Sequence, residues 1–526
     1  MRSWNPIKFF ALASVALAVL AACDSEPSAP RTPIAVSQTP RSPMPLTLPT
    51  PQLDPSEPAT PALAEAPSAE LPAESIIAPS VRYEVSADLD WAARSVRVVE
   101  RVGLQNGFDH SLDEIVFTIE ANGETNLFSV VSIKAGDGAS IADYTLNASD
   151  LIVPLPEELT PGHLLTLEIT YDLTIPAIRA GYQYGHLGYL GYSERQLNLG
   201  NWIPLVAYYD AVRGWVSPEP HTVGEQAVRG LADFVVTLRV GGAPEGLVAA
   251  APGRATGEGD EWRFVAENMR EFSVSLSDSF ETLRTQLPSG VEVVLYHFPE
   301  SAQGLNAAQH ALETAADALA LFERQFNQPY GHDRLVVVEG DFPDGMEFSG
   351  LVFVSRDWFQ LWRGVPNDWL TVITAHEVSH QWWYSVVGSD QGRHPYLDEA
   401  LAIYSELLFF EHYLPEHAVW WWEFRVNAYA PSGLVDGMVY DFVAPRPYIN
   451  SVYLQGARML KELREDLGDA PFFGWLQRYA AQMSGQVATP ADFWGAMTGD
   501  EYAATLETRE RYLGKTDILA RSSDLP

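Results

Sequence analysis

The chain has one cysteine in 526 residues, Cys23, so no disulfide can form within it. Positive charge is scarce as well. There are 33 Lys+Arg against 69 Asp+Glu, a formal charge of −36, and so acidic a surface repels nucleic-acid phosphates and anionic lipid heads. Nucleic acid is therefore excluded as a partner, and the excess of acid is read as solubility. Charged residues reach only 19% and hydrophobic ones 47%, which excludes a chain disordered throughout. A length of 526 residues exceeds what one core usually serves, so two or three domains are expected.

At the N-terminus, Arg2 and Lys8 precede the apolar run 9–20, too short to span a bilayer and typical of a secretory leader. The sequence Leu20-Ala21-Ala22-Cys23 follows, placing the lone cysteine behind small residues. This resembles the lipobox of bacterial lipoproteins. The resemblance implies a signal peptide over 1–22, lipidation of Cys23, and a cell-envelope location with an extracytoplasmic membrane anchor. Asp24 resembles a signal for inner-membrane retention. Residues 24–80 hold 14 of the 37 prolines and show no hydrophobic period, so 23–80 is expected to be a disordered, extended linker.

From Val81 to about Ser277 apolar residues alternate, as in Val81-Tyr83-Val85-Ala87-Leu89 and Leu165-Leu167-Ile169-Tyr171-Leu173. Such a period predicts strands with one wet face, and turn signals such as Pro161-Gly162 make them a largely antiparallel domain over 81–285. After a strand at 291–298 the spacing becomes helical over 305–326. Further expectations are a strand at 335–338, an edge strand at 350–354, a long helix from 368 to 387, and mostly helix beyond Glu399 in a second domain, 286–526. The fold class expected is α+β and multidomain.

His376-Glu377-Val378-Ser379-His380 falls in the predicted long helix, where a separation of four aims both imidazoles from one face. Glu377 projects from another side, suited to act as a general base on water. A catalytic zinc site needs a third protein ligand and an open position. Glu399 supplies that ligand from the start of a second helix, with Asp398 as its N-cap. One Zn2+ per chain is the cofactor expected. Glu406, two turns beyond Glu399, is read either as a partner orienting a ligand histidine or as a solvated carboxylate.

HExxH, eighteen residues, then Glu resembles the gluzincin aminopeptidase family, which contains aminopeptidase N and leukotriene hydrolase. His380-Gln381-Trp382-Trp383 and Leu397-Asp398-Glu399-Ala400 are similar to that family's flanking segments, with Asp398 where Asn is usual. Trp382 and Trp383 are read as helix packing. The resemblance implies a saddle-shaped β domain followed by a thermolysin-like, mainly helical catalytic domain, and peptides as substrates. It also implies an oxyanion-stabilising tyrosine at Tyr453, in Tyr453-Leu454-Gln455-Gly456, whereas Tyr448 is read as structural. In the family's Gly-x-Met-Glu-Asn motif the Glu binds the substrate's α-ammonium. Here the segment reads Asp344-Gly345-Met346-Glu347-Phe348, which implies substrate contacts from Gly345, Met346 and Glu347, with Asp344 and Phe348 departing from the pattern. The chain ends about 125 residues after Glu399, so the family's large helical C-terminal domain is expected to be missing.

The leading expectation is a membrane-anchored zinc aminopeptidase. Phe348 motivates a second, an endopeptidase or another hydrolase needing no free amine. A zinc-binding scaffold without catalysis is the third.

Overall fold

The computed structural model describes residues 80–122, 127–178, 188–210, 212–299 and 306–515. The leader, Cys23 and all but the last residue of the proline-rich segment lie outside the described residues. Everything described falls in one compact unit. Among the described residues no helix is long and apolar enough to cross a membrane.

The alternating segments form a seven-stranded sheet in the order Arg254–Glu258, Glu261–Met269, Ala232–Gly241, Ser80–Asp90, Ser95–Gln105, Leu164–Thr174, Phe128–Ala135. On Ser80–Asp90 the residues Tyr83, Val85, Ala87 and Leu89 are buried while their neighbours reach outward, the two-residue period read from the sequence. The pairing is antiparallel with one exception: Ser80–Asp90 runs parallel to Ala232–Gly241, from Val81 opposite Ala232 onward. The inner face shares a core with a four-stranded sheet that includes Leu112–Thr118 and Asp150–Leu159. Glu100 lies in that core, opposite Val85 and Ile169, fully buried, with neither carboxyl oxygen hydrogen bonded.

A second sheet has the order Glu281–Gln286, Glu292–His297, Arg334–Gly340, Leu351–Ser355, Gly345–Met346. Helix Ala307–Gln325 connects the parallel pair Glu292–His297 and Arg334–Gly340, and beyond Leu351–Ser355 the chain is mostly helical. This is the α+β arrangement expected, a β-rich first part and a mainly helical second part.

Two expectations need correction. Residues 350–354 were expected at a sheet edge, but Leu351–Ser355 is interior and wholly buried, and the short strand Gly345–Met346 covers it antiparallel. Local pattern cannot reveal a two-residue neighbour that arrives through a tight loop. The long helix expected to reach residue 387 stops at Ser379, and Gln381–Val386 winds into a π-turn with non-helical Trp383 and Tyr384. Trp382, Trp383 and Tyr384 are all buried there. The carbonyls of Tyr384, Ser385 and Val386 turn to the Arg270 guanidinium, which reaches across from the β-rich part and also binds the Gln486 carbonyl.

Candidate metal centre and active-site cleft

Helix Trp369–Ser379 starts at Asp368, whose carboxylate accepts from the Leu370 N–H at 3.3 Å. Every residue from Leu370 to Ser379 is buried, so the helix is enclosed on all sides and lies inside the molecule. Its final turn presents His376 and His380 side by side, ring centroids 4.8 Å apart. Opposite runs helix Glu399–Tyr413, whose first residue is Glu399. Helix Gln455–Leu467 packs against it so closely that a Cβ at Gly456 would lie 2.4 Å from the Ala400 Cβ. Only glycine permits that approach, which brings Tyr453, just before the helix, over the site with its ring parallel to His376 at 6.2 Å.

His376, His380 and Glu399 each offer a ligand atom, all within 4.8 Å of one another. The Glu399 Oε2 lies 3.4 Å from His376 Nε2 and 3.7 Å from His380 Nε2. The other nitrogens are engaged: His376 Nδ1 meets Glu406 Oε1 at 2.8 Å and His380 Nδ1 meets Asp398 Oδ1 at 2.6 Å. Carboxylates at both Nδ1 atoms hold the protons there and leave the Nε2 lone pairs facing inward. Glu399 Oε2 is buried without a hydrogen-bond partner. Two imidazole lone pairs and an orphaned carboxylate oxygen converging in a buried space fit a cation, and two nitrogens with one oxygen suit zinc.

Glu406 resolves in favour of the orienting reading. It is fully buried and accepts from His376, from Arg425 Nε at 3.0 Å and Nη2 at 2.9 Å, and from Trp421 Nε1 at 2.9 Å. Asp398 corrects an expectation: its side chain caps no helix and turns inward to His380 and to Gln391 Nε2, 2.6 Å away. The backbone at Asp398 is already near-helical, so an extended N-cap geometry is not available to it. Trp382 and Trp383 pack as expected, with indole N–H groups bound to the Gln328 carbonyl and Ser405 Oγ.

Glu377 lies beside the ligands rather than among them. It groups with Glu347 and His380 within 4.8 Å, and the Gly345 backbone leaves its carboxylate room: a Cβ there would meet Glu377 Oε1 at 2.2 Å. Burial pushes Glu377 up to about 8, against the pull of the two imidazoles, and pushes Glu347 up to about 7. Glu347 accepts from Gln391 Nε2 at 3.2 Å and has no Lys or Arg partner among the described residues. Met346 is buried on the edge strand opposite Phe353 and lines the cleft. Gln381 secures the strand's far end, its Oε1 accepting from Gly350 N at 2.8 Å and its Nε2 donating to the Phe348 carbonyl at 3.1 Å.

Phe348 does not enter the site. Its ring is wholly buried in an apolar cluster with Met346 and Phe353, edge-on to Tyr189. Tyr448 lines the cleft beside Tyr453, ring centroids 5.5 Å apart, and its hydroxyl nearly touches the Gly224 backbone.

The cleft is about 280 Å³ and runs from Tyr453 and Met346 toward Glu120, Asn201 and Arg229 of the β-rich part. Some lining residues, Glu225 and Gln391 among them, escaped the sequence reading. Glu225 sits in an irregular stretch between strands, where no period or spacing marks it, yet burial and the neighbouring Glu347 and Glu399 carboxylates push its carboxyl well above the usual range.

A helix carrying two imidazoles, a facing helix carrying the third candidate ligand and an adjoining carboxylate together form a gluzincin-like metal-binding geometry. Residues 310–509 match the family model described as Peptidase family M1 domain. It is 28% identical over 240 residues to Aminopeptidase M1-A of Oryza sativa subsp. japonica, covering 43% of this chain and 26% of the rice protein. It is also 28% identical over 232 residues to human Endoplasmic reticulum aminopeptidase 1, covering 41% and 24%. The matches thus span about a quarter of these curated relatives. In fold it is similar to an M1 zinc metallopeptidase mutant from Deinococcus radiodurans bound to a Tyr-Ser-Ala substrate, with TM-score 0.59, 19% identity, and 85% and 97% of the two chains covered. A mutant two-domain M1 zinc metallopeptidase bound to L-arginine gives TM-score 0.60 at 18% identity, covering 83% and 95%.

Proposed function

We propose that this protein is a zinc aminopeptidase that removes N-terminal residues from peptides. The observation that carries the reading is Glu347, a buried carboxylate beside Glu377 and His380 with no Lys or Arg partner among the described residues. A substrate α-ammonium supplies the missing charge, and Glu225 adds a second carboxylate facing it. His376, His380 and Glu399 hold the zinc. When bound, zinc polarises the scissile carbonyl and acidifies the attacking water. Glu377 takes the proton from that water and delivers it to the leaving nitrogen. The Tyr453 hydroxyl, which burial keeps protonated, donates to the oxyanion that develops on the carbonyl. Gly345 and Met346 offer the substrate an edge strand along which its backbone lies.

Phe348, the reason for doubting a free-amine requirement, has its ring in the apolar core. The test compares aminoacyl anilides with their N-acetylated forms, with and without zinc. Faster cleavage of the blocked forms rules out the aminopeptidase reading. Unchanged chelator-sensitive activity in Glu377→Gln rules out Glu377 as the general base and overturns this catalytic model.

We further propose that Cys23 is lipidated and tethers the enzyme to the membrane in the cell envelope, outside the cytoplasm, on the strength of Leu20-Ala21-Ala22-Cys23 and the absence of any other cysteine. Metabolic labelling with an alkyne fatty acid checks this, and label persisting in Cys23→Ser refutes it.

A further inference from the structure

Asp344 is the departure from the family motif that the proposed chemistry leaves unused. It holds a left-handed backbone conformation, φ 61°, immediately before the edge strand, and its carbonyl accepts from Ser355 N at 2.8 Å. Its side chain lines the cleft, is exposed to it, and has neither a hydrogen-bond donor nor an ion-pair partner among the described residues. The titratable groups near enough to act on it electrostatically are Arg425, His376, Arg446 and Asp357. Arg425 is bound by Glu406, and Arg446 lies over the Tyr429 ring at 4.6 Å. The carboxylate therefore stands in the cleft without a hydrogen-bond or ion-pair partner among the described residues, on a backbone more comfortable for glycine.

Its place along the strand gives its orientation toward substrate. Glu347 groups with His380, and Asp344, three residues earlier, lies within electrostatic reach of His376, with Glu377 against Gly345 between them. With the α-ammonium at Glu347, a peptide passing the ligands continues past His376 and Tyr453, so the residue after the scissile bond arrives at Asp344.

We propose that Asp344 selects substrates whose second residue is basic, its carboxylate pairing with the Lys or Arg side chain of the residue that becomes the new N-terminus. This rests on the aminopeptidase reading above. An ammonium exchanging water for one carboxylate at a cleft wall favours the basic peptide by about five- to tenfold.

The experiment measures kcat/KM for Ala-Lys-Ala, Ala-Ala-Ala and Ala-Glu-Ala with the full chain and with Asp344→Asn, an isostere that tolerates the left-handed backbone. Dissociation constants of the same peptides are measured on Glu377→Gln, which binds them without turnover. The wild type is expected to prefer Lys over Ala by about five- to tenfold in both measurements, and Asp344→Asn to bring the ratio near one. A wild-type ratio near one, or a preference that survives Asp344→Asn, overturns the assignment of Asp344. Alanine anilide, which has no second residue, tests the parent reading: a wild-type chain that cleaves neither it nor any tripeptide overturns the aminopeptidase function, and the inference with it.

Discussion

Replacing Glu406 by Gln tests whether the metal centre depends on a buried carboxylate that touches no substrate. Glu406 accepts four bonds: Oε1 takes His376 Nδ1 and Arg425 Nη2, and Oε2 takes Arg425 Nε and Trp421 Nε1. A glutamine amide keeps one acceptor oxygen and turns an NH2 toward two donors, so either orientation loses two bonds and leaves the buried Arg425 charge without its carboxylate. Removing one partner of a buried ion pair costs about 3–5 kcal/mol. If the NH2 faces His376, the imidazole loses the acceptor that keeps its proton on Nδ1, and zinc affinity falls by about 10–100-fold. Chelator competition measures the affinity, and thermal unfolding of metal-free and zinc-loaded protein measures the stability. The expected result is both losses, with much of kcat recovered at saturating zinc because no reacting group has been removed. Zinc affinity within threefold of wild type together with an unchanged Tm would refute the reasoning.

Three further outcomes are expected. Tyr453→Phe lowers kcat by about 10²–10³-fold while KM stays close to wild type, as for a donor that bonds only the developing oxyanion; a rise in KM with kcat intact assigns Tyr453 to ground-state binding instead. Glu225→Gln raises KM for free-amine substrates by about tenfold and leaves the weak cleavage of N-acetylated ones unaltered, which steady-state kinetics on both series decides. Glu100→Gln stabilises the protein increasingly with pH. Burial holds the Glu100 carboxyl well above its ordinary 4.5, so the unfolded chain releases a proton that the folded one keeps, and stability drains away as pH rises from about 4.5 toward the folded value. The glutamine variant gains nothing near pH 4 and up to about 3 kcal/mol at pH 7, so equal Tm differences at the two pH values would count against it.

The candidate site was legible where its chemistry depends on spacing along one helix. His376, Glu377 and His380 declare themselves through a four-residue interval, and Glu399 through the loop length its position requires. Glu225 and Gln391 gave no such signal, because each reaches the site from an irregular segment and neither belongs to a periodic element. Asp398 was visible but misassigned: an acidic residue before a helix reads as a cap, and only a buried imidazole 2.6 Å away shows its other use. Phe348 was legible as a departure and misleading as a threat, since its ring belongs to the apolar core, a placement no local pattern records.

By itself, then, the sequence determined which residues can ligate a metal, that a β-rich part precedes a helical one, and that no disulfide holds them. These are local properties, set by periodicity, spacing and composition. The tertiary structure alone decided that Glu406 orients His376, that Gly345–Met346 closes the sheet edge, that the metal-site helix stops at Ser379 under the grip of Arg270, and that Asp344 faces the cleft unpaired. Each of these depends on groups far apart in the chain meeting in a buried space, where the cost of an unsatisfied charge or carbonyl selects the partner, and no local pattern records that cost.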